Sequence, residues 1–276
     1  MKRSHLTRLT IACFIVFAAS ALLSLSSCHR ANTHVPHSPL IVAHRGGATL
    51  GMENSLSCIE QGILTGADMI EIDVHLTADR QVVVCHDFTL NRTTDAEGDI
   101  QDYTLSQLRQ CHLLTKEGTP SEETIPTLNE VLLLCKDRCP ILLEIKKKQG
   151  YNEGIEQLCI DLVKRHKMEH QVFFQSFDAE SMAIVHAIDP LLPTELLLGR
   201  PFAEEVENDS LFKTYLDTHF AHIRSLNVHY SMATDENIHR VHRAGREIKI
   251  WTLDQPESAP EHVDAIITNS PDLFLK

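Results

Sequence analysis

The chain has 276 residues, and its 38 acidic residues outnumber 25 basic ones to give a formal net charge of −13. A strongly acidic protein is a poor partner for the phosphate backbone of nucleic acid, so we exclude nucleic-acid binding. The acidity is compatible with binding of divalent cations, although most of these charges are expected on solvated helix faces.

The first 27 residues are typical of an export signal rather than of a folded element. Lys2, Arg3 and Arg8 precede the apolar run LTIACFIVFAASALLSL, and LSSC at 25–28 supplies small residues before a cysteine. This order of basic, apolar and small residues indicates a secretory signal. LSSC resembles the lipobox of bacterial lipoproteins, which implies that Cys28 carries lipid and begins the mature chain. The alternative is a permanent membrane anchor helix.

The segment 28–39 is polar and contains prolines, so we expect it to form a short tether. Residues 40–276 then match the size of one α/β barrel domain. His29, rather than an acidic residue, follows Cys28, which by analogy favours an outer-membrane or periplasm-facing location. The sequence therefore predicts an exported lipoprotein that a lipid anchor holds on a membrane.

Six cysteines follow Cys28, and export makes disulfides chemically accessible to them. The CKDRC segment at 135–139 has no second cluster with the spacing of a zinc site. Several of the six lie in apolar helix or strand patterns. We therefore expect buried free thiols and assign no disulfide.

Short apolar runs alternate with amphipathic stretches along the chain. Strands are predicted at 40–43, 69–74, 141–145, 172–177, 195–199, 223–228, 248–253 and 264–268. Helices are predicted at 53–65, 127–138, 152–169, 178–188, 203–219 and 234–244. Alternation of this kind predicts a parallel sheet. Eight strands in a chain of this size predict a closed TIM (β/α)₈ barrel rather than an open sheet.

The connection between the second and third barrel strands is too long for a simple loop. Residues 76–126 contain the apolar strand QVVVC and a predicted helix near 104–112. Between them, residues 92–104 are rich in turn-forming residues. The connection therefore predicts a small insertion subdomain over the barrel mouth.

Carboxylates occur near the C-terminal ends of two predicted barrel strands. Glu71 and Asp73 share one face of the second strand, because successive side chains in a strand alternate. Glu144 and Lys146 share a face of the third strand. Active sites of barrels gather at these ends, so we expect the three carboxylates to converge and bind Ca²⁺ or Mg²⁺. A structural ion pair with a lysine or arginine is the alternative.

Two histidines stand out among 17 because each directly follows a predicted strand within a motif. His44 begins HRGG after the first strand, and His86 follows QVVVC. Histidine is suited to giving and taking protons near neutral pH. The paired glycines of HRGG allow a sharp turn and close approach of a ligand. We therefore expect an anion-binding mouth with two proton carriers.

These motifs together identify a family. The segments AHRGG, ENS, GADMIEIDVHLTADRQVVVCHDFTLNRTT, IPTLNEVL, LLEIK, WTLD and DAIITNSP, in this order, resemble the glycerophosphodiester phosphodiesterases from about residue 40 to the C-terminus. The resemblance implies a TIM barrel with an insertion after the second strand. The roles that it implies are acid and base for His44 and His86, metal ligands for Glu71, Asp73 and Glu144, and phosphate contacts for Arg45 and Lys146.

The implied reaction is metal-dependent hydrolysis of glycerophosphodiesters to glycerol 3-phosphate and an alcohol. Trp251 is expected to pack against the substrate, or to be a partly buried barrel residue. Asp254 and Asn269 replace the more usual asparagine and aspartate of the family, a difference expected to bear on substrate contacts. The alternatives are a phospholipase or lysophospholipase-type phosphodiesterase acting on lipids, and a lipoprotein that binds phosphodiesters without turnover. The sequence predicts no oligomeric state.

Overall fold

A computed structural model describes residues 38–199 and 208–275. Its strands in chain order are β1 (Leu40–Ala43), β2 (Met69–Leu76), β3 (Val82–Val84), β4 (His112–Leu114), β5 (Pro120–Thr124), β6 (Ile141–Ile145), β7 (Val172–Ser176), β8 (Thr194–Leu198), β9 (Ile223–His229), β10 (Glu247–Trp251) and β11 (Ala265–Thr268). Within the described residues, β1, β2 and β6 to β11 form a closed barrel of eight parallel strands. The predicted fold is confirmed, and the strand boundaries differ by no more than a few residues.

Helices follow the barrel strands as the apolar periodicity predicts. They are α1 (Leu56–Leu64), α2 (Leu105–Leu108), α3 (Leu128–Cys135), α4 (Ile155–His166), α5 (Ala179–Ile188), α6 (Asp209–His219), α7 (Asp235–Arg243) and α8 (Pro271–Phe274). Several of these helices are capped by a side chain that accepts a hydrogen bond from a free backbone N–H group of the first turn. Ser55 caps α1 in this way, and Thr127 caps α3. The predicted helix 203–219 begins outside the described residues, and its described part is α6.

Closure of the barrel sets the level at which side chains from different strands meet. Strand β1 pairs in parallel with both β11 and β2, so the sheet has no gap at this point. The register places Asp73 of β2 opposite Glu144 of β6, and Glu144 opposite Gln175 of β7. Three polar positions thus lie side by side on consecutive strands near one end of the barrel.

The two faces of β2 separate apolar from acidic side chains, as the alternation predicts. Ile70, Ile72 and Val74 are fully buried in the large apolar core that includes residues of the helices. Glu71 and Asp73 are also buried, but on the opposite face. Burial of each aliphatic side chain contributes about 1.5–3 kcal/mol to stability. The outward face therefore anchors β2 and fixes the direction of the two carboxylates.

The insertion after β2 has its own structure and its own apolar core. Strand β3 pairs antiparallel with β2, and β4 and β5 form a separate two-stranded sheet. Its core consists of Val83, Cys85, Leu90, Ile100, Leu108, Cys111, Leu113 and Ile125. The predicted helix near 104–112 is shorter than expected. Thr104 caps a single helical turn, α2, which ends at Leu108, and residues 112–114 instead pair with β5.

The six cysteines of the described residues are buried free thiols, as expected. Burial raises the pKa of the Cys85 and Cys135 thiols to about 12. A thiol reacts as its thiolate, so these side chains act as small apolar core residues.

The predicted signal segment 1–27, Cys28 and the tether up to residue 37 lie outside the described residues. In 38–199 and 208–275, no helix is both long enough and apolar enough to cross a membrane.

Candidate active site

A cavity of about 390 Å³ opens at the carboxyl ends of the barrel strands. Its lining is charged on one side and apolar on the other. The charged side consists of His44, Arg45, Glu71, His86, Glu144 and Lys146, and the apolar side includes Phe177, Leu197, Trp251 and Ile267. A mixed cavity of this kind is suited to a small ligand with one anionic group and one carbon skeleton.

The three carboxylates expected to converge do so in the structure. One oxygen each from Glu71, Asp73 and Glu144 lie within 4.8 Å of one another, and all three side chains are buried. Strand pairing of β2 with β6 produces this arrangement, because it aligns Asp73 with Glu144. Oxygen donors at this spacing are the type that hard divalent cations prefer.

Hydrogen bonds from three elements hold these carboxylates in place. The backbone N–H of Arg45 donates to Glu71 Oε2 at 2.8 Å, and Gln175 Nε2 donates to Glu71 Oε1 at 3.3 Å. Asn54 Nδ2 donates to Asp73 Oδ2 at 2.9 Å. The turn after β1, strand β7 and the turn before α1 therefore all orient the acidic cluster.

Lys146 lies against the same cluster. Its Nζ is 2.9 Å from Asp73 Oδ1 and 2.7 Å from Glu144 Oε1. Arg45 adds a second cation, with Nε 3.8 Å from Asp73 Oδ2. The ion pair that the sequence leaves as an alternative is thus present. It does not account for Glu71, whose carboxylate has no lysine or arginine side chain within 4 Å in the described chain.

The electrostatics of the cluster favour one further positive charge. Burial raises the pKa of Glu71 well above its usual range, and the charges of Asp73 and Glu144 raise it further. Burial also raises the pKa of Glu144 to about 7, against the opposing effect of Lys146. Burial opposes ionisation of Asp73 too, but Lys146 and other nearby cations outweigh it and lower that pKa. A cation between the carboxylates would keep all three ionised.

The HRGG segment turns the chain sharply after β1. Arg45 has φ of 53° and Gly46 has φ of +84°, both in the left-handed region. A Cβ on Gly46 would lie 2.9 Å from the backbone nitrogen of Ile59, so only glycine fits against α1. This turn places the His44 ring and the Arg45 backbone N–H at the cavity.

His44 lies beside the acidic cluster at the edge of the cavity. Its Nε2 is 3.9 Å from Glu71 Oε2, and its Nδ1 is 2.7 Å from Asn269 Oδ1. Burial, together with the charge of Arg45, lowers the pKa of His44 to about 4. The ring is therefore neutral near pH 7, with one nitrogen toward the cluster and the other hydrogen-bonded.

His86 approaches the cavity from the insertion, just after β3. Its Nδ1 is 2.6 Å from Asp87 Oδ1. Arg92 donates to Asp87 Oδ2 at 2.7 Å and makes two hydrogen bonds of 2.7 Å to Glu53. Burial lowers the pKa of His86, and Asp73 and Asp87 oppose that shift. A charged network thus fixes this histidine.

Several residues that support the site carry no distinctive pattern in the sequence. His75 Nε2 donates to the backbone carbonyl of His86 at 3.2 Å, and Asn152 Nδ2 donates to His75 Nδ1 at 2.9 Å. His75 directly follows the predicted second strand, 69–74, and continues the face of Glu71 and Asp73 in β2. That shared face is the one signal in the sequence that could have pointed to it.

Trp251 lies on the apolar side of the cavity, as expected of a residue that contacts substrate. Its Nε1 donates to the carbonyl of Asn227 at 2.9 Å, and its ring packs edge-on against Phe177 with centroids 5.4 Å apart. Asp254 and Asn269 do not line this cavity; they lie behind His44 and bond to each other. Their departure from the family pattern therefore concerns the histidine rather than the cavity wall.

The fold and this site together are those of a barrel enzyme, because carboxylates, histidines and cations meet in a cavity at the carboxyl ends of the strands. The sequence profile of the glycerophosphoryl diester phosphodiesterase family matches residues 44–273. The chain belongs to this family, and it is an enzyme of the phosphodiesterase class. The resemblance inferred from the sequence motifs is confirmed.

Similarity to individual proteins extends over most of the chain. A glycerophosphodiester phosphodiesterase of Caldanaerobacter subterraneus subsp. tengcongensis is 32% identical over 243 residues, which cover 86% of this chain and 96% of that protein. A lysophospholipase D of Rattus norvegicus is 32% identical over 151 residues, which cover 50% of this chain and 45% of that protein.

A solved structure of an Oleispira antarctica phosphodiesterase in complex with the product sn-glycerol-3-phosphate matches with a TM-score of 0.74. The two proteins are 25% identical, and the match covers 86% of this chain and 95% of that one. That phosphodiesterase thus binds sn-glycerol 3-phosphate as its product.

Proposed function

We propose that this enzyme hydrolyses glycerophosphodiesters to sn-glycerol 3-phosphate and an alcohol, at the cavity described above. The observation that carries the proposal is the meeting of His44, His86 and the acidic cluster of Glu71, Asp73 and Glu144 around one cavity. The family match and the product complex of the Oleispira relative support the same substrate class.

Glu71, Asp73 and Glu144 are the residues that would hold a divalent cation, Ca²⁺ or Mg²⁺. Their fit follows from the donor set: three buried carboxylates, one of them with a pKa raised by burial and by its two neighbours. A bound cation would supply a positive charge to polarise the phosphoryl oxygens. Arg45 and Lys146 line the same side of the cavity and would offset the remaining charge of the phosphate.

The two histidines would carry the protons of the reaction. One accepts the proton of the attacking oxygen as that oxygen bonds to phosphorus. The other gives a proton to the alcohol oxygen as its bond to phosphorus breaks. Both rings line the cavity, and both have Nδ1 held by another side chain, which leaves Nε2 for the reacting groups.

The apolar side of the cavity would receive the carbon skeleton of the substrate. Trp251 and Ile267 border it at the ends of β10 and β11, and Leu197 borders it at β8. Such contacts orient a glycerol or alcohol group by shape and exclude water, so they set preference among substrates more than the rate of the chemical step.

A lysophospholipid is a second candidate substrate, favoured by one observation. Phe177, next to Trp251 at the cavity, is 51% exposed, which leaves an apolar surface where an acyl chain could lie. The similarity to a lysophospholipase D of Rattus norvegicus supports it over part of the chain. A binder without turnover is disfavoured, because binding alone does not require two proton carriers.

The experiment is an assay of released glycerol 3-phosphate from sn-glycero-3-phosphocholine, with and without added Mg²⁺ or Ca²⁺. The same preparation is given lysophosphatidylcholine, and free choline is measured. Glycerophosphocholine turnover that requires His44 and His86 would support the proposal. Turnover of the lysolipid alone would replace it with the second candidate, and tight binding of both substrates without product would favour a binding protein.

We also propose that the chain is an exported bacterial lipoprotein, anchored through Cys28 and facing the periplasm. This proposal rests only on the sequence of the first 28 residues. The test is incorporation of labelled palmitate into the full-length chain and into Cys28→Ala. Label in the wild-type chain that is lost in the variant would support the anchor. An unprocessed or unlabelled wild-type chain would contradict it.

A further inference from the structure

Asn269 stands between His44 and Asp254, outside the cavity. Its Oδ1 is 2.7 Å from His44 Nδ1, and its Nδ2 donates to Asp254 Oδ2 at 2.9 Å. The three side chains come from different parts of the barrel: His44 follows β1, Asp254 follows β10, and Asn269 follows β11. They form a chain of hydrogen bonds that ends at the histidine.

The direction of these hydrogen bonds follows from which atoms can donate. An ionised carboxylate only accepts, so Asp254 requires the NH₂ group of Asn269 on its side. The amide oxygen of Asn269 must then face His44. Because this oxygen also only accepts, the hydrogen in the bond belongs to His44 Nδ1. A neutral His44 thus carries its proton on Nδ1 and has a lone pair on Nε2.

Asp254 itself is held against rotation. Its Oδ1 accepts from the backbone N–H of Asn269 at 2.7 Å and from Thr268 Oγ1 at 2.9 Å. The backbone carbonyl oxygen of Asn269 accepts two hydrogen bonds from Thr49. One comes from the backbone N–H of Thr49 at 3.0 Å and the other from its hydroxyl at 2.8 Å. Since Thr49 lies on the loop after β1, the pair is tied to the segment that carries His44.

We propose that Asp254 and Asn269 are positioning residues that fix the tautomer of His44, with the hydrogen on Nδ1 and the lone pair of Nε2 toward the cavity. This deepens the proposed function, because it makes Nε2 the atom that accepts the proton of the attacking oxygen. The imidazolium that results keeps its Nδ1–H on Asn269 Oδ1, so no proton passes to Asp254. Neither residue touches the substrate.

The structure suggests one substitution that would reverse the tautomer. In Asp254→Asn, the new amide oxygen takes the position of Oδ1, because it still accepts hydrogen bonds from the backbone N–H of Asn269 and from Thr268 Oγ1. Its NH₂ group then faces the NH₂ group of Asn269, and the two donors cannot bond. Rotation of the Asn269 amide relieves this conflict and turns its NH₂ group toward His44 Nδ1. The neutral ring would then carry its hydrogen on Nε2.

A second substitution should restore the original state. In the double variant Asp254→Asn with Asn269→Asp, one oxygen of the new carboxylate accepts from the amide NH₂ group introduced at position 254, and the other accepts from His44 Nδ1. In the wild-type chain, Asn269 Nδ2 is 2.9 Å from Asp254 Oδ2. The single variant Asn269→Asp would place a second carboxylate at this distance from Asp254. This variant should therefore be impaired, and the second change should rescue it.

The direct test is long-range ¹H–¹⁵N correlation of the histidine rings in the full chain, with the His44 signals assigned by their loss in His44→Gln. We expect a protonated Nδ1 in the wild type and the double variant, and a protonated Nε2 in Asp254→Asn. Asp189→Asn, which removes a carboxylate outside the site, is the control and should leave the His44 signals unchanged. A wild-type ring protonated on Nε2 would overturn the proposal without any variant.

Kinetics on glycerophosphocholine provide the second readout. We expect kcat of Asp254→Asn to fall roughly 10²–10⁴-fold with KM near the wild-type value, because the wrong tautomer offers no acceptor at Nε2. The double variant should recover most of kcat. A loss that the double variant does not rescue, at unchanged melting temperature, would contradict the positioning role. Wild-type enzyme with no activity would refute the proposed function, and the ring spectra would still test this inference.

Discussion

The barrel contains two groups of buried charges that use the same residue types in different ways. Inside the barrel, Lys249 Nζ is 2.5 Å from Glu195 Oε1, and both side chains are almost completely buried. At the rim, Lys146 meets the carboxylates of Asp73 and Glu144, with Glu71 beside them. The interior pair is neutral as a whole. The rim has more carboxylates than cations and borders an open cavity.

The hydrogen bonds sharpen this contrast. Asn227 uses both hydrogens of its side chain inside the barrel, one to Glu195 Oε2 and one to Gln175 Oε1, each at 2.8 Å. Ser225 Oγ is 2.8 Å from Asn227 Oδ1 and satisfies it as well. Paired and hydrogen-bonded charges of this kind hold a structure together. An unbalanced cluster at a cavity is instead balanced by a proton or by a bound cation, and access to a cation is a property of a functional site.

The two groups are connected through Gln175. Its Oε1 accepts from Asn227 in the interior, and its Nε2 donates to Glu71 at the rim. The interior layer therefore determines the orientation of one rim carboxylate. The contrast predicts that perturbing the rim changes activity, that perturbing the interior changes stability, and that Gln175 affects both, because it bonds to each group.

Removal of divalent cations should have the largest effect. We expect exhaustive chelation with EDTA to abolish hydrolysis of glycerophosphocholine, and Mg²⁺ or Ca²⁺ to restore it, because the rim needs a further positive charge. The melting temperature of the chelated enzyme should also rise when either cation is added back, since a ligand bound only by the folded state stabilises it. Full activity after chelation would exclude a metal from the rim.

Loss of either histidine should have the next largest effect. We expect His44→Ala and His86→Ala each to lower kcat roughly 10²–10⁴-fold, because each removes a proton carrier. Thermal unfolding checks that the barrel remains intact. His239→Ala serves as a control, since this histidine lies on α7, outside the cavity lining. Activity near the wild-type level in either rim variant would contradict the assignment of that histidine.

Much of the architecture could be predicted because it depends on local patterns. The eight apolar segments and the helices between them follow from periodicity, and eight strands imply closure. The convergence of Glu71 and Asp73 with Glu144 follows from side-chain alternation combined with the rule that barrel sites lie at carboxyl ends of strands. Each of these inferences needs only residues that are close in sequence and a known fold.

The supporting contacts could not be predicted, because they depend on register and on side chains far apart in sequence. Asn152 and His75 are 77 residues apart, and Asn227 and Gln175 are 52 apart. A polar residue in a strand shows only that it faces a polar neighbour, not which one. The same limit explains why the sequence predicts Asp254 and Asn269 near substrate, although the structure places them behind His44.

Disruption of the interior pair should affect stability. We expect Lys249→Met to lower the free energy of unfolding by about 3–5 kcal/mol, because it leaves the Glu195 carboxylate buried without its cation. Urea unfolding measures this change. The double variant Lys249→Met with Glu195→Leu should recover most of the loss, since it removes the unpaired charge as well. If the single variant is as stable as the wild type, the interior pair is not the structural element that the contrast requires.

Replacement of Gln175 should have the smallest effect on activity, and it tests the connection between the two groups. Gln175→Leu keeps the approximate volume but removes the hydrogen bond to Glu71 Oε1, so only the backbone N–H of Arg45 on Oε2 still orients this carboxylate. It also removes the acceptor of one Asn227 N–H, which should lower the free energy of unfolding by about 1–3 kcal/mol. Loss of a group that orients a metal ligand typically lowers metal affinity 10–100-fold. We therefore expect the Mg²⁺ concentration for half-maximal activity to rise by about 10–100-fold, while kcat at saturating Mg²⁺ stays near the wild-type value. Titration of activity with Mg²⁺ measures both quantities, and Gln175→Glu is the companion variant, because its added charge should strengthen Mg²⁺ binding. An unchanged Mg²⁺ requirement in Gln175→Leu would mean that the backbone N–H of Arg45 orients Glu71 without help from the interior.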